Sequence, residues 1–230
     1  MSYSTPHHAH EYLKSACLSI VHEYTLACQR KSKSERQNIV LLKREIDLCA
    51  RLAMHFGPEA GLAAQGSSGL DLVISSPTLR AEVKYLRRKP GGKQPVNRWN
   101  AKKGVKHDWD WLLGLKNVGE AFKKTCLVFF LPSQSMLQFH EVCDVKASGV
   151  AYARADYAPF VRLVRPDKAN PNRLVYQSKY SHDLLIRMGG KIIVRRQIVG
   201  STASPIWALI YTRVGTNEYK SLTQFSEVEI

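Results

Sequence analysis

Two acidic residues and a lysine, Asp71, Glu82 and Lys84, lie on two short apolar runs that the sequence predicts to be β-strands. We expect these runs, residues 70–75 and 79–86, to form a hairpin. A symmetric turn then places Asp71 directly opposite Glu82, where side chains lie about 5 Å apart. Two carboxylates at that distance repel each other unless a cation lies between them. Because side chains alternate along a strand, Lys84 shares a face with Glu82, and the pattern predicts a metal site with a lysine beside it.

A solvated strand face is the alternative interpretation, since Glu-x-Lys is a common tripeptide and edge strands often carry alternating charges. The chain contains two similar tripeptides, which begin at Glu218 and Asp144. Neither has an acidic residue at the matching place on a preceding strand. Glu82 has such a partner in Asp71, which favours the metal site.

A third carboxylate comes from residues 38–56, a stretch without Pro or Gly that the sequence predicts to be one continuous helix. Ser32 and Glu35 have the spacing of a capping box at its start. At about 100° per residue, Glu45 falls within the apolar arc of this helix, whereas Asp47 faces solvent. An ionised carboxylate is costly to bury unless it is paired or binds a metal. Glu45 is therefore a candidate site residue, with a structural role as the alternative.

The order of these residues resembles the PD-(D/E)XK nuclease superfamily, whose core is an αβββαβ unit with a helix glutamate, an aspartate and a Glu-x-Lys. The match covers roughly residues 31–132. In chain order it consists of Glu45, Asp71, Glu82, Val83 and Lys84. The small-residue loop before the aspartate is similar to that of archaeal Holliday-junction resolvases and several restriction enzymes. Leu70 stands where the family name has Pro, and Leu continues the strand.

The fold that this resemblance implies is α/β, with a restriction-endonuclease-like αβββαβ core in which helices flank a mixed central sheet. It divides the chain into three parts. Residues 1–30 form an N-terminal helical segment, residues 31–132 the nuclease core, and residues 133–230 a β-rich C-terminal extension packed on that core.

The activity that the resemblance implies is metal-dependent endonucleolytic hydrolysis of DNA, of the restriction, repair, junction-resolving or phage-defence type. Asp71, Glu82 and the carbonyl of Val83 would hold Mg²⁺, or Mn²⁺ in its place, because hard cations prefer oxygen ligands. Glu45 would bind a second ion or a metal-bound water. Lys84 would orient or deprotonate the attacking water. The alternatives are a catalytically silent nucleic-acid-binding module of the same fold and an RNA-cleaving member.

The charge of the chain favours a polyanionic partner, since 34 Lys and Arg against 19 Asp and Glu give a net charge of +15. Between Lys84 and Lys124, twelve basic residues oppose three acidic ones. Residues 87–106 combine this charge with Gly and Pro, which predicts a long basic loop along a phosphate backbone; a solvated surface loop is the alternative. The candidate nucleic-acid contacts are Arg87, Arg88, Lys89, Lys93, Arg98, Trp99, Lys102, Lys103 and Lys106.

Residues 107–113 are predicted to open the second core helix, and the apolar run 126–131 to form the next strand. Trp109 and Trp111 are expected in the core. His107 and Asp108 are disfavoured as an acid/base pair, because neighbours in sequence do not share a helix face.

The N-terminal run 9–29 is predicted to be a helix, preceded by a frayed segment with histidines that have no partners: His7, His8 and His10. The C-terminal third contains four strand-like runs, residues 160–164, 173–176, 191–199 and 206–214. Its basic residues would contact nucleic acid or a second copy of the chain in a homodimer, namely Arg187, Lys191, Arg195, Arg196 and Arg213. His182 and Asp183 are expected to form a turn or a helix cap.

Five cysteines form no C-x-x-C pair, and Cys49 and Cys126 fall in predicted core elements. This pattern favours a reduced intracellular protein over a disulfide scaffold. The sequence shows neither a signal peptide nor an apolar stretch long enough to span a membrane. We therefore expect a soluble, cytoplasmic protein with no membrane partner.

Overall fold

The structure is a computed structural model, and it describes twelve ranges of the chain. They are residues 6–42, 44–62, 71–74, 79–87, 105–114, 124–132, 164–166, 174–176, 184–188, 192–201, 203–214 and 226–229. Within them the chain is a mixed α/β protein. Its α-helices are α1 (Pro6–Ala27), α2 (Lys33–Leu41), α3 (Glu45–Phe56) and α4 (Val105–Leu112).

The strands are β1 (Ala60–Leu62), β2 (Leu72–Ile74), β3 (Leu79–Tyr85), β4 (Lys124–Pro132), β5 (Val164–Pro166), β6 (Leu174–Tyr176), β7 (Leu184–Met188), β8 (Ile192–Val199), β9 (Ile206–Val214) and β10 (Ser226–Glu229). Eight of them form one sheet in the order β1-β2-β3-β4-β9-β8-β7-β10, and β5 pairs with β6 separately. Strands β3 and β4 are parallel and are joined through α4, and β7 and β10 are also parallel. The other pairs are antiparallel.

The predicted continuous helix over residues 38–56 is wrong, because the chain forms α2 and α3 with a break between them. The expected capping box is present, since Ser32 and Glu35 bond each other's backbone at the start of α2. Helix α3 has its own cap, in which the Arg44 N–H donates to Asp47 Oδ2 at 2.9 Å. The predicted apolar arc holds within α3, where Leu48, Cys49, Leu52 and Phe56 are buried. It does not extend across the break, since Leu42 is 63% exposed.

The predicted N-terminal helix exists, but it begins at Pro6, so the frayed segment expected around His7 and His8 is wrong. His10 is also not without partners. It is buried, its Nε2 donates to Gln197 Oε1, and its Nδ1 lies 2.7 Å from Thr212 Oγ1. Through these two contacts His10 links α1 to strands β8 and β9.

Strands β7 to β10 of the C-terminal third continue the central sheet, because β9 pairs with β4 from Cys126–Thr212 to Pro132–Ile206. Strands β6, β8 and β9 correspond to predicted runs, whereas β5 shares only residue 164 with the predicted run 160–164. Strands β7 and β10 were not foreseen. The division at residues 30 and 132 stays a prediction.

Two of the C-terminal arginines are structural, which contradicts their assignment to a nucleic-acid or dimer surface. Arg196 is fully buried, and Arg195 is 8% exposed and contacts Glu11 Oε1 at 2.9 Å. Arg213 is exposed.

The two faces of the sheet carry different helices. Val83, Val128 and Phe130 belong to the core cluster that includes residues of α1 and α3. Because side chains alternate along a strand, Phe129 points to the other face, where Phe129 and Trp109 each pack edge-on against Tyr211. Helix α4 therefore covers the second face. Trp109 and Trp111 are buried there, as predicted.

Cys17, Cys28, Cys49 and Cys126 are buried, and none of these four forms a disulfide. Cys143 lies outside the described residues. No helix in the described part of the chain combines the length and apolarity needed to cross a membrane.

Candidate active site

The hairpin of β2 and β3 has the predicted register. Its pairs are Leu72–Ala81, Val73–Arg80 and Ile74–Leu79, and the next step in the same register opposes Asp71 and Glu82. In β3, Val83 points to the α1/α3 side, so the alternating Glu82 and Lys84 point to the α4 side. The sequence thus predicted both the pairing of Asp71 with Glu82 and the shared face of Glu82 and Lys84.

Two carboxylates accept hydrogen bonds from backbone N–H groups of β3. These groups lie beyond the last residue of β3 that pairs with β2. The Val83 N–H donates to Asp71 Oδ2 at 2.8 Å, and the Tyr85 N–H donates to Glu45 Oε2 at 2.9 Å. The Leu86 N–H, one residue on, donates to Phe130 of β4 instead. Since N–H and C=O of one strand residue point to the same edge, the Val83 carbonyl faces the edge that holds Asp71 and Glu45.

Glu45 joins this edge from the first turn of α3, on the same helical face as the buried Leu48, Cys49 and Leu52, as predicted. Its side chain is about one-third exposed, at 34%, so burial does not explain it. An acidic residue is favoured in a first helical turn by the helix dipole. The predicted helix was too long, but the face that it assigned to Glu45 is the one observed in α3, whereas Asp47 caps the start of α3.

Lys84 Nζ lies among four carboxylates. Its distances are 3.4 Å to Asp71 Oδ2 and 3.6 Å each to Glu45 Oε1, Glu82 Oε2 and Asp108 Oδ2. The Val83 carbonyl oxygen is 3.4 Å away. We refer to Glu45, Asp71, Glu82 and Asp108 as the carboxylate cluster.

Asp108 is the member that sequence reasoning missed, because it was considered only together with His107. It lies on α4 and is 5% exposed. The signal for it was available, since Asp108 shares a helical face with the buried Trp111 and Leu112, three and four positions later. An acidic residue on an apolar helix face needs a cationic partner, and Lys84 is that partner.

The charges of the site shift its pKa values upward. Burial alone would lower the pKa of Lys84, but the surrounding carboxylates outweigh burial and raise it above its ordinary value. Burial, followed by the charge of Asp71, raises the pKa of Glu82 to about 9. Burial also raises the pKa of Asp108. Near neutral pH and without a metal, Lys84 is therefore an ammonium ion and Glu82 retains its proton.

The described residues contain no group of three or more His, Cys, Asp or Glu side chains arranged to hold a metal ion. The Lys84 ammonium occupies the space between the carboxylates instead. A divalent ion bound there would compete with Lys84. The predicted Mg²⁺ site at Asp71, Glu82, Val83 and Glu45 stays a prediction.

Without metal, we expect the free energy of unfolding to fall as the pH rises from about 4.5 to about 9, the ordinary and folded pKa values of Glu82. In this window the folded protein holds a proton that the unfolded chain has lost. A raised carboxyl pKa contributes stability that is present below the unfolded pKa and is lost as the pH passes the folded one. Urea denaturation at several pH values in EDTA measures this slope.

Glu82→Gln should flatten that slope. Glu35→Gln is the matched control, because the hydrogen bond from Ser32 lowers the pKa of Glu35 and moves its titration below this window. If wild type and Glu82→Gln show the same slope, Glu82 does not hold the proton.

The predicted basic loop is described only at its ends. Arg87 follows β3, with its guanidinium carbon 5.6 Å from the Tyr85 ring centre. Helix α4 begins at Val105, so Lys106 belongs to the helix and not to the loop. The other predicted contacts lie outside the described residues: Arg88, Lys89, Lys93, Arg98, Trp99, Lys102 and Lys103. The tripeptides at Asp144 and Glu218 and the pair His182–Asp183 lie outside them as well.

Comparison of the chain with models of protein families, with curated proteins and with solved structures finds no match. The chemistry of the site is therefore inferred from its own contacts. They comprise the carboxylate cluster, the ammonium of Lys84 and the Val83 carbonyl.

Proposed function

We propose that this protein is a metal-dependent endonuclease that hydrolyses phosphodiester bonds of DNA. The observation that carries the proposal is the convergence of one buried lysine and four carboxylates beside the open edge of β3. A cluster with this excess of negative charge favours a divalent cation. The lysine supplies a fixed positive charge next to it, as catalysis of phosphoryl transfer requires.

The order of the elements supports the same proposal. Helix α3, strands β1 to β3, helix α4 and strand β4 follow one another as the resemblance to the PD-(D/E)XK superfamily implies. Glu45 lies on the first of these helices, Asp71 directly precedes β2, and Lys84 lies on β3. The assignment to this superfamily is part of the proposal.

The donor set suits Mg²⁺, or Mn²⁺ in its place, because every donor is a hard oxygen. Asp71, Glu82 and the Val83 carbonyl would hold the ion, and Glu45 would hold a second ion or an ordered water. When bound, the ion would supply charge neutralisation at the scissile phosphate and a more acidic water. Asp71 and Glu45 already have one oxygen each fixed by a backbone N–H, which limits their rotation.

Lys84 acts as a cation in this proposal and not as the base. Without a metal the surrounding carboxylates raise the pKa of Lys84, and the ordinary pKa of a lysine already keeps it protonated near neutral pH. An ammonium group can donate hydrogen bonds to the attacking water and to a phosphate oxygen, and it stabilises the charge that develops in the transition state. Orientation of the water is therefore favoured over its deprotonation by Lys84.

For Glu45→Gln, we expect a partial loss of cleavage that grows as the metal concentration falls. The amide retains an acceptor for the Tyr85 N–H but loses the charge that would support a cation. Initial rates measured across a Mg²⁺ titration test this expectation. Asp47→Asn is the matched control on the same helix, and its effect should be smaller. Equal and small effects in both variants would assign Glu45 a structural role.

DNA is the proposed partner because +9 of the net charge of +15 lies between Lys84 and Lys124. That segment begins on the strand that carries the site. Lys and Arg residues gain affinity for DNA by releasing counterions from phosphates. The proposal places the protein in the cytoplasm, in agreement with the absence of disulfides among its four described cysteines.

Replacing Lys102 and Lys103 by Gln together should weaken DNA binding equally for all sequences. The slope of log K against log salt should flatten by roughly 1 to 2 units, because two phosphate contacts are lost. Trp99→Ala provides the contrast, with a cost on the order of 1 to 3 kcal/mol and little change in slope if the ring stacks on a base. Fluorescence anisotropy over a salt series measures both. An unchanged slope after the double replacement would place the DNA-binding surface elsewhere.

A nucleic-acid-binding module without catalysis is the second candidate, and an RNA-cleaving enzyme is the third. The buried carboxylates favour an enzyme, since like charges in a binding surface repel both each other and phosphate. Nothing in the cluster separates DNA from RNA.

The direct experiment incubates the protein with plasmid, branched DNA, single strands and RNA, each with Mg²⁺ or with EDTA. We expect cleavage of DNA with Mg²⁺ alone. Glu82→Gln, purified in the same way, controls for contaminating nucleases. Binding without cleavage under all conditions would support the silent module, and cleavage of RNA alone would support the third candidate.

A further inference from the structure

Asp108 approaches Lys84 from a different side than the rest of the carboxylate cluster. Glu45 and Asp71 are bonded to the edge of β3. Asp108 instead comes from α4, which covers the face of the sheet, and its Oδ2 lies 3.6 Å from Lys84 Nζ. The ammonium group therefore lies between the edge carboxylates and the helix carboxylate.

One oxygen of Asp108 is buried without a hydrogen bond among the described residues. Oδ1 lies 3.3 Å from His107 Nδ1, whereas Oδ2 has no hydrogen-bond donor within reach in the described part of the chain. A buried carboxylate oxygen without a hydrogen bond lowers the stability of the folded protein. At 3.6 Å, Lys84 Nζ is just beyond ordinary hydrogen-bond length, so a small movement of the ammonium toward α4 would satisfy Oδ2.

We propose that Asp108 is the positioning residue of Lys84, which holds the ammonium on the α4 side when a metal ion binds Asp71 and Glu82. This inference rests on the proposed function. A divalent ion repels the ammonium that now lies 3.4 Å from Asp71. Asp108 is the carboxylate that α4 contributes, and its Oδ2 has no hydrogen bond in the described part of the chain. Lys84 then remains beside the phosphate instead of leaving the site.

The test compares Asp108→Asn with Asp110→Asn, a partly exposed position on the same helix. Asp108→Asn keeps the shape and removes one of several repelling charges, so we expect it to fold. Calorimetric titration with MnCl₂ should show unchanged affinity in both variants. The turnover of DNA should fall on the order of 100-fold in Asp108→Asn alone, because the lysine is misplaced, with little change in KM. Asp108→Glu, which retains the charge, should recover part of this loss.

A crystal of the wild-type protein soaked with MgCl₂ gives a readout independent of activity. We expect Lys84 Nζ at hydrogen-bond distance from Asp108 and no longer beside Asp71. Coordination of the ion by Asp108, or reduced Mn²⁺ affinity in Asp108→Asn, would overturn the positioning role and leave the proposed nuclease intact. Equal turnover in Asp108→Asn and wild type would also overturn it. If the protein binds neither Mg²⁺ nor Mn²⁺, both the positioning role of Asp108 and the proposed nuclease function are refuted.

Discussion

Asp71→Asn and Glu82→Gln should each abolish DNA cleavage while leaving the protein folded. Each change removes one charged ligand of the proposed metal ion, whose electrostatic contribution to the transition state amounts to several kcal/mol. The loss in kcat should therefore be at least about 10³-fold. Asn also retains an acceptor for the Val83 N–H, which Asp71 Oδ2 now bonds at 2.8 Å, so the edge of β3 is preserved.

The stability of the two variants without metal distinguishes the loss of a metal ligand from misfolding. Asp71→Asn removes a charge from a cluster of like charges, and Glu82→Gln replaces a carboxyl group that is already neutral without metal. The free energy of unfolding in EDTA near neutral pH should therefore stay level or rise. Mn²⁺ binding, followed by calorimetry, should be lost. Asp47→Asn serves as a control for the loss of an acidic residue outside the cluster. Cleavage at the wild-type rate by either Asp71→Asn or Glu82→Gln would show that the metal site is assigned to the wrong residues.

Lys84→Ala should have an equally large effect on the chemical step but the opposite effect on metal-free stability. The ammonium stabilises charge in the transition state, and loss of one such group costs about 10² to 10³ in kcat. Removal of one partner from a buried ion pair leaves carboxylates without compensation. We expect a loss of up to about 3 kcal/mol in EDTA, limited because Glu82 already carries a proton and Asp108 can take one up.

Metal ions should reverse the instability of Lys84→Ala, because a divalent ion can replace the missing ammonium among the carboxylates. Mn²⁺ affinity should therefore be unchanged or higher than in wild type, since the competing lysine is gone. Thermal denaturation with EDTA and with MnCl₂ measures the reversal. A variant that binds DNA poorly but turns over normally at saturation would reduce Lys84 to a phosphate contact.

Local rules were sufficient for the hairpin but not for contacts between distant elements. The pairing of Asp71 with Glu82 follows from turn symmetry and the alternation of side chains, which depend only on neighbouring residues. Helical periodicity placed Glu45 on the apolar face of α3, but it missed the break before α3, which a separate cap at Asp47 makes favourable. The hydrogen bond from the Tyr85 N–H to Glu45 depends on where β2 ends. Helical periodicity carries no information about the end of that strand.

Asp108 and His10 are two polar residues whose partners the sequence did not reveal. Asp108 reaches Lys84 only because the crossover from β3 to β4 returns α4 to one face of the sheet. His10 bonds Gln197 and Thr212, which lie on strands near the other end of the chain. Such long-range partners depend on topology, so a sequence without an alignment identifies the polar residue but not its partner.

The position of β4 has a consequence for how the protein is made. Strand β4 lies between β3, which is synthesised before it, and β9, which is synthesised only after β5 to β8. At ribosomal rates of roughly 5 to 20 residues per second, this interval lasts on the order of seconds. During that time the nascent chain carries an apolar strand with one unpaired edge, a state prone to self-association. The sheet that supports Lys84 is therefore completed late in translation, although every residue of the carboxylate cluster has already been synthesised.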